Sequence, residues 1–444
     1  AKTLAQPPQH DIVSDWTERR RPRLAELNTA LQRVDLDGLD DAAFDDYLGD
    51  LLDHAMAGAV LHFWLHGHDL APLAQFMQLC ERWDLDTSRA VDALTGASPS
   101  TSRPLERLTR LRTILDEAGV EPTTLDDVRA VSPQAARLLD QHLDEHGHVL
   151  ATGYDITAAT LIELPQVILD SIRTAAPPVV HDHDAVLDEL AAGLDAAQRD
   201  ELVEVVEVAR SVMDMRDDNG PLTIEWPAGL IRRALLAAGD RLVERGRWPR
   251  RELALEVTPN EARRLLRSNG APGAATLTER AEQRKRWARL DPPVQLGPTE
   301  PEPSPDVLPQ PLPDVVRMVQ ASLRHLGMDG QRRSTGLEGI GVGSGTFTGC
   351  ARVVTSAEEA IDALVPGDVL VVRATSPAFN VVLSIAGAVV TSDGGVMSHA
   401  AVLARELGIA AVVGARDALS IPDGATVTVD ADRGVVTIDS ESAA

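Results

Sequence analysis

The segment TSDGGVMSHAAVLAREL, residues 391–407, places two glycines shortly before Ser398 and His399. Serine is a favoured N-cap residue, and the apolar spacing that follows predicts an amphipathic helix over 400–407. His399 then lies in the first helical turn, where backbone N–H groups lack helical partners and favour an anion. A neutral imidazole there is a competent nucleophile for a phosphoryl group, although an ordinary surface histidine beside a cap gives the same local pattern.

The surroundings of this segment predict a small α/β domain over residues 334–444. Short β-rich runs are set off by glycine, proline or aspartate, and helical pieces such as SAEEAIDAL lie between them. The predicted strands are CARVV, GDVLVVR, GAVVTS, IAAVVG and ATVTVD.

Residues 1–290 have a different pattern, that of successive α-helices. DDAAFDDYLGDLLDHAMAGAVLHFWLHG and PAGLIRRALLAAGDRLVERG place apolar residues at i, i+3 and i+4, and both end on glycine. The fold class predicted is therefore multidomain, with a mainly α-helical N-terminal region and a C-terminal α/β domain.

A proline-rich segment separates the two regions. Nine prolines fall between Pro292 and Pro313, a composition that favours a semi-rigid polyproline II spacer. We assign residues 291–333 as this linker, including a short helix from Asp314 to Leu326. It is either a passive spacer or a docking segment for another protein.

Composition excludes several classes of function. The formal net charge of −26 disfavours a nucleic-acid partner. No apolar run approaches the roughly 18 residues that a membrane helix needs, and two cysteines are too few for a disulfide framework. These features predict a cytoplasmic protein without a membrane partner. Lysine occurs only at Lys2 and Lys285 and no G-x-x-x-x-G-K-[ST] motif is present, which makes a complete ATP site unexpected in this sequence.

Longer motifs resemble the phosphohistidine swivelling domain of phosphoenolpyruvate-utilising enzymes, such as phosphoenolpyruvate synthase, pyruvate phosphate dikinase and rifampicin phosphotransferase. GGVMSHAAVLARELGIAAVVG resembles its phosphohistidine signature, LEGIGVGSGTFTGCARVV its opening strand, and PGDVLVVRATSPAFN its second strand and loop. The resemblance implies that His399 is the phosphorylated residue. The residues that it implies around the phosphoryl group are Gly394, Gly395, Ser398, Thr375 and Arg405.

Two residues of the family's Ala-Arg-Glu pattern leave their roles open. Arg405 and Glu406 match that pattern, either as a salt-bridged pair that supports the loop or in direct chemistry.

The order of the predicted domains resembles rifampicin phosphotransferase without its ATP-grasp domain. The pyruvate-handling barrel of the synthase and the dikinase has no counterpart in this sequence. Phenylphosphate synthase places its histidine-bearing and ATP-binding parts on different polypeptides. The resemblance therefore implies no cofactor in this chain, with ATP and Mg²⁺ on a separate ATP-grasp protein. In the relatives ATP yields AMP and inorganic phosphate as the β-phosphoryl group moves to histidine.

The helical region is expected to hold the acceptor, a hydroxylated small molecule. Relatives usually have Gly-His-Arg-Gly-Pro-Gly-Glu where this chain has GHVLATGYD, so rifampicin itself is not carried over as the substrate. Gly147 and His148 remain, and we assign His148, His146 and Arg216 to the acceptor pocket. A neutral histidine there could take the proton of the attacking hydroxyl.

Two histidine groups share an H-x-x-x-H-x-H spacing, HFWLHGH over 62–68 and HLDEHGH over 142–148. Such histidines are compatible with zinc, with two helix ends that finish on His-Gly-His, or with the acceptor pocket. We predict no metal site.

The sequence thus supports two hypotheses. The first is a phosphotransferase component of the dikinase type that receives a phosphoryl group on His399 from the ATP-grasp partner and delivers it to the acceptor. The alternative is a binding or regulatory homologue that has lost phosphotransfer.

Overall fold

The N-terminal region is a helical assembly, as predicted. The computed structural model describes residues 9–151, 154–177, 182–267, 270–288, 290, 297, 304–310, 312–327, 337–375 and 379–439. Its N-terminal helices are α1 (Gln9–Asp15), α2 (Arg21–Gln32), α3 (Asp41–Arg82), α4 (Thr87–Asp92), α5 (Pro99–Ala118), α6 (Leu125–Val131), α7 (Pro133–His146), α8 (Pro165–Thr174), α9 (His183–Leu190), α10 (Ala196–Ser211), α11 (Met213–Gly220), α12 (Trp226–Glu244), α13 (Pro259–Ala262) and α14 (Ala274–Ala288). Within the described residues, no helix is long and apolar enough to cross a bilayer.

Helix α3 is much longer than its sequence pattern predicted. Asp40 is its N-cap residue, and the Asp40 side chain accepts the N–H of Ala43 at 2.8 Å. The helix then continues through Gly67 and Pro72 to Arg82. The prediction that this helix ends at Gly67 is therefore wrong. A glycine costs an α-helix only about 1 kcal/mol, and the buried apolar residues that follow it in α3 offset that cost by packing.

A second long helical run is interrupted by one π-helical turn. Helices α11 and α12 are joined by Pro221–Glu225, where the N–H of Trp226 donates to the carbonyl of Pro221, five residues earlier. Proline has no N–H for the carbonyl four residues before it, so the regular α-helical pattern cannot pass through Pro221. The wider turn changes the hydrogen-bond register of the helix, and the Glu225 side chain points inward.

The C-terminal region is an α/β domain, which confirms the predicted fold class. Its strands are β1 (Ile340–Val342), β2 (Thr346–Val353), β3 (Val369–Val372), β4 (Ala388–Thr391), β5 (Ala410–Val413), β6 (Thr426–Asp430) and β7 (Val435–Ile438). In the described part of the chain they form a seven-stranded sheet in the order β1-β5-β4-β3-β2-β6-β7. The central strands β2 to β5 are parallel, and β1, β6 and β7 pair antiparallel at the two sides.

Three short helices cover one face of this sheet: α16 (Ala357–Ala363), α17 (Asn380–Leu383) and α18 (His399–Leu407). The central strands β3, β4 and β5 are buried along their whole length, as expected for parallel strands covered on both faces. Because β3 and β4 are parallel neighbours, the loops that follow them leave the same edge of the sheet.

Helix α15 (Leu312–Leu326) lies where the sequence predicted a short helix. It packs along α3, and Arg324 and His325 at its end contact Glu81. Most of the proline-rich spacer, Pro292–Pro313, falls outside the described residues.

The two regions are docked through an apolar contact. Val396 and Met397, in the loop before α18, are each 5% exposed and share a hydrophobic cluster with α3, α4, α9 and α10. Met397 also donates its N–H to the carbonyl of His325 at 3.0 Å. The loop that leads to His399 is thus inserted into the helical region.

Polar contacts fix this arrangement around the apolar centre. Arg405 donates to Asp92 Oδ1 at 3.0 Å, and Glu406 accepts the N–H of Gly96 at 3.0 Å. Of the two alternatives that the sequence left open for Arg405 and Glu406, the structure does not show a salt bridge between them: both side chains point at the helical region, where each has its own partner. Ser384 adds hydrogen bonds to α8.

Candidate functional site

His399 is the first residue of α18, eight residues after β4, and both of its ring nitrogens have partners. Thr375 Oγ1, in the loop after β3, lies 2.9 Å from Nδ1, and Asn380 Oδ1 lies 2.7 Å from Nε2. The parallel pairing of β3 and β4 brings these loops together. Asn380 is exposed and Thr375 partly buried, so Nε2 is the nitrogen on the open side of the ring.

Asn380 was not singled out from the sequence. It begins α17, a helix of four residues without a cap hydrogen bond, and no local pattern marks such a turn. Its amide oxygen only accepts, so the recorded orientation assigns the ring proton to Nε2; rotating the amide reverses both hydrogen bonds. In that second arrangement Nδ1–H donates to Thr375 and Nε2 holds the lone pair.

The imidazole of His399 is neutral at physiological pH. Burial and then the positive charge of Arg216 lower the pKa of His399 to about 3. A neutral ring keeps one nitrogen lone pair, which is what a nucleophile for phosphoryl transfer needs. The cation that disfavours imidazolium would stabilise a phosphoryl dianion at the same place.

Ser398 occupies the N-cap position, but its hydroxyl does not cap the helix. Its backbone is extended, and Oγ is buried with no hydrogen-bond partner among the described residues. A free hydroxyl and the unpaired N–H groups of the first helical turn therefore lie beside His399. This combination suits the oxygens of an anionic group.

The glycine pair serves the interface as well as the loop. Gly394 has a φ of +132°. A Cβ at this position would lie 3.0 Å from Ser398 Oγ. A Cβ on Gly395 would lie 2.4 Å from the carbonyl of His325. The close approach at Gly395 is thus to the end of α15, in addition to the place around the phosphoryl group that the resemblance implies for this residue.

Arg405 supports this loop from behind. Its side chain is 4% exposed, and besides Asp92 it donates to the carbonyls of Val396 and Ala401. These contacts occupy the guanidinium, so its described role is to hold the loop against the helical region.

The described part of the helical region contains several buried polar atoms without partners. Among the described residues, the buried atoms that make no hydrogen bond include Asp69 Oδ1, His146 Nε2, Arg216 Nη1, Asp217 Oδ2 and Glu225 Oε1. Native proteins rarely leave such groups unpaired without a ligand or water. Among these groups, Asp69, Asp217 and Arg216 are the strongest candidates for an acceptor pocket, because Arg216 and Asp69 act on Asp217 and Arg216 acts on His399.

Electrostatic neighbours show how these groups are connected. Burial raises the pKa of Asp217; the positive charge of Arg216 opposes this shift, and the negative charge of Asp69 adds to it. Burial also raises the pKa of Asp218 to about 6 despite its ion pair with Arg21. A continuous set of charges therefore extends from His399 into the helical region.

The three residues assigned to the acceptor pocket from sequence lie in different places. The positive charge of Arg216 acts on His399. Burial, with help from the charges of Arg107 and Arg21, lowers the pKa of His146 to about 4. His148 instead lies beside Arg233 and Glu163, and its carbonyl packs on Gly229. None of the described contacts links His148 to Arg216 or to His399.

The two histidine groups also differ. The rings of His62 and His66 are 4.4 Å apart, and those of His142 and His146 are 5.1 Å apart. Over the residues that the structure describes, no set of three or more His, Cys, Asp or Glu side chains could hold a metal ion.

Known proteins match this chain most strongly in the C-terminal domain. Residues 364–434 match the family model of the PEP-utilising enzyme mobile domain. The phosphoenolpyruvate synthase of Aeropyrum pernix is 45% identical over 101 residues, which are 22% of this chain and 12% of that protein. The uncharacterised phosphotransferase YvkC of Bacillus subtilis is 42% identical over 105 residues, 23% of this chain and 12% of that protein.

One relative extends over the helical region as well. A rifampicin phosphotransferase from a Streptomyces species is 28% identical over 481 aligned positions, covering 97% of this chain and 50% of that protein. The chain spans half or less of the length of these three curated relatives. Its C-terminal domain is similar to the mobile domain of PEP-utilising enzymes, and the whole chain is similar to half of a rifampicin phosphotransferase.

Proposed function

Because residues 364–434 form a PEP-utilising enzyme mobile domain, we propose that the chain transfers a phosphoryl group through His399. An ATP-grasp protein supplies the group, with ATP and Mg²⁺ bound there, and a hydroxylated small molecule in the helical region accepts it. The observation that supports this most directly is the neutral His399 imidazole, which is held by Thr375 and Asn380 and is acted on by the positive charge of Arg216.

Each half of the transfer has a physical basis in these contacts. On the donor side, Nε2 becomes the nucleophile when Thr375 accepts Nδ1–H, and the phosphoryl oxygens meet Ser398 Oγ and the first-turn N–H groups of α18. On the acceptor side, Arg216 has a buried Nη1 without a partner among the described residues, and its positive charge acts on His399. The same guanidinium balances the charge as the group moves to the acceptor.

The alternative proposal is a binding or regulatory protein without phosphotransfer. The altered GHVLATGYD segment favours it, since His148 lies apart from the His399 face. A complete phosphoryl loop with a nucleophilic histidine, together with Arg216 beside it, favours transfer.

Labelling tests the donor half. With β-labelled ATP and an ATP-grasp partner, we expect an acid-labile adduct that His399→Ala abolishes. Asn380→Ala should slow labelling, because the ring loses the partner that orients Nε2, while leaving the fold unchanged at an exposed position. A His399→Ala variant that labels as well as the parent would contradict the proposal.

A further inference from the structure

We propose that His66 and Asp69, both on α3, form a general-base pair that takes the proton of the acceptor hydroxyl during transfer from His399. This inference rests on the proposed function and assigns the acceptor side of the same site. His66 is the catalytic residue, and Asp69 is its positioning residue.

The geometry of the pair fits that role. Asp69 Oδ2 lies 3.0 Å from His66 Nδ1; the Asp69 side chain is 0% exposed and that of His66 is 36% exposed. A carboxylate only accepts hydrogen bonds, so Nδ1 carries the proton and Nε2 keeps its lone pair. The buried aspartate thus fixes the tautomer in which the open side of the ring is a base.

The neighbouring His62 does not compete for the proton. Its ring stands at 82° to that of His66, and its Nδ1 lies 3.3 Å from Thr223 Oγ1. Burial, and then the charge of His66, lowers the pKa of His62. His62 therefore stays neutral beside His66, and Asp69 gives His66 the carboxylate that stabilises an imidazolium.

The pair lies on α3, where Asp69 is one helical turn before Leu73, which shares a hydrophobic cluster with Val396 and Met397 of the docked loop. The charge of Asp69 acts on Asp217, Arg216 acts on both Asp217 and His399, and Asp69 Oδ1 is buried without a partner among the described residues. A fully buried carboxylate with one unused oxygen needs a donor, and an acceptor hydroxyl or a water supplies one.

The step balances as a simple phosphoryl transfer. The acceptor oxygen forms a bond to phosphorus, and the bond between phosphorus and His399 Nε2 breaks, returning the electron pair to that nitrogen. The hydroxyl proton moves to His66 Nε2, and the resulting imidazolium is paired with Asp69. His399 leaves as a neutral imidazole that retains Nδ1–H towards Thr375, so no oxidant or further reactant is needed.

The test starts from phosphohistidine made without ATP. Phosphoramidate, a chemical phosphoryl donor, is used on the whole chain and removed, and His399→Ala identifies the signal from other histidines. Decay of phospho-His399 is followed by ³¹P NMR in water alone and with added glycerol, together with the appearance of glycerol phosphate.

We expect His66→Ala and Asp69→Asn to slow the decay by about 100-fold, the lower range for a lost general base. Added imidazole should restore His66→Ala, since that side chain is partly open to solvent, but not Asp69→Asn. Asn is isosteric with Asp, so this second variant tests the chemistry without opening a cavity.

A matched control lies elsewhere on the helical region. His183 Nε2 also has a carboxylate partner, Glu207 Oε1 at 3.3 Å. In His183→Ala, phospho-His399 should decay at the same rate as in the parent. Equal rates in His66→Ala, Asp69→Asn and the parent would overturn the base assignment alone. Absence of any adduct on His399 would overturn the proposed function and this inference with it.

Discussion

Replacing Glu225 with glutamine should make the protein more stable at neutral pH. The Glu225 side chain ends the π-helical turn, is 3% exposed, and has a buried Oε1 without a hydrogen-bond partner in the part of the chain that the structure describes. Burial alone raises its pKa from 4.5 to about 8. Glutamine has nearly the same shape and never ionises.

The direction in which folding stability changes with pH follows from proton binding by Glu225. A carboxyl with a raised pKa binds its proton more tightly in the folded state, so folding stability falls as the pH rises from 4.5 towards 8. Each unit is worth about 1.4 kcal/mol, so the penalty reaches about 3 kcal/mol at pH 7 by this linkage. Glu225→Gln removes the penalty, so its gain over the parent should be near zero at pH 4.5 and about 3 kcal/mol at pH 7.

Urea unfolding of parent and variant between pH 4.5 and pH 8.5, followed by circular dichroism, measures this difference. Glu163→Gln is the control of opposite sign, because burial is outweighed there by Arg232 and Thr160, which hold the pKa of Glu163 at about 2. That variant should be less stable than the parent at pH 7. A stability difference for Glu225→Gln that is the same at pH 4.5 and pH 7 would refute the linkage.

Three further substitutions test the packing of the helical region and the docked interface. Gly58→Ala would place a Cβ 2.2 Å from the carbonyl of Thr223, so thermal unfolding should show a loss of about 1–3 kcal/mol from overpacking. Gly67→Ala on the same helix meets nothing within 4 Å and should gain up to about 1 kcal/mol from helix propensity; equal effects of the two substitutions would contradict the close packing of α3 at Gly58. Arg405→Met breaks the buried ion pair with Asp92, which typically costs about 3–5 kcal/mol, and should speed hydrogen exchange over residues 396–407. The control is Arg129→Met, which breaks the exposed pair with Asp140 and should leave that exchange unchanged. Unchanged exchange in Arg405→Met would show that Arg405 does not hold the interface.

Sequence reasoning identified the fold class because the relevant signals are local. Alternating short β-rich runs and glycine turns predict the α/β domain, and the confirmed strands β2 to β6 overlap the five quoted runs. The extent of α3 was misjudged because a glycine such as Gly67 ends a helix only when the residues after it have nothing to pack against. The cluster that follows, including Phe76 and Met77, is a tertiary effect that periodicity does not measure.

The candidate site divides in the same way. Thr375 and His399 belong to motifs contiguous in sequence, whereas the partners of Arg405 and of His66 depend on where side chains point. The H-x-x-x-H-x-H spacing marked both histidine groups equally. In the structure, the buried Asp69, three residues after His66, marks the first group, and an aspartate at that distance on a helix is too common to be a signal.

Docking of the loop before His399 in the helical region competes with binding of the same loop to a phosphoryl donor. Val396 and Met397 are almost fully withdrawn from water in the helical region, so leaving it costs free energy in proportion to the apolar area that becomes wet. A phosphoryl donor that needs His399 elsewhere must offer these side chains a comparable apolar recess, or bind the loop by other means strongly enough to outweigh that cost. Linkage is reciprocal: an acceptor that tightens the docked arrangement weakens the donor's hold on the same loop, so excess acceptor should inhibit its own phosphorylation.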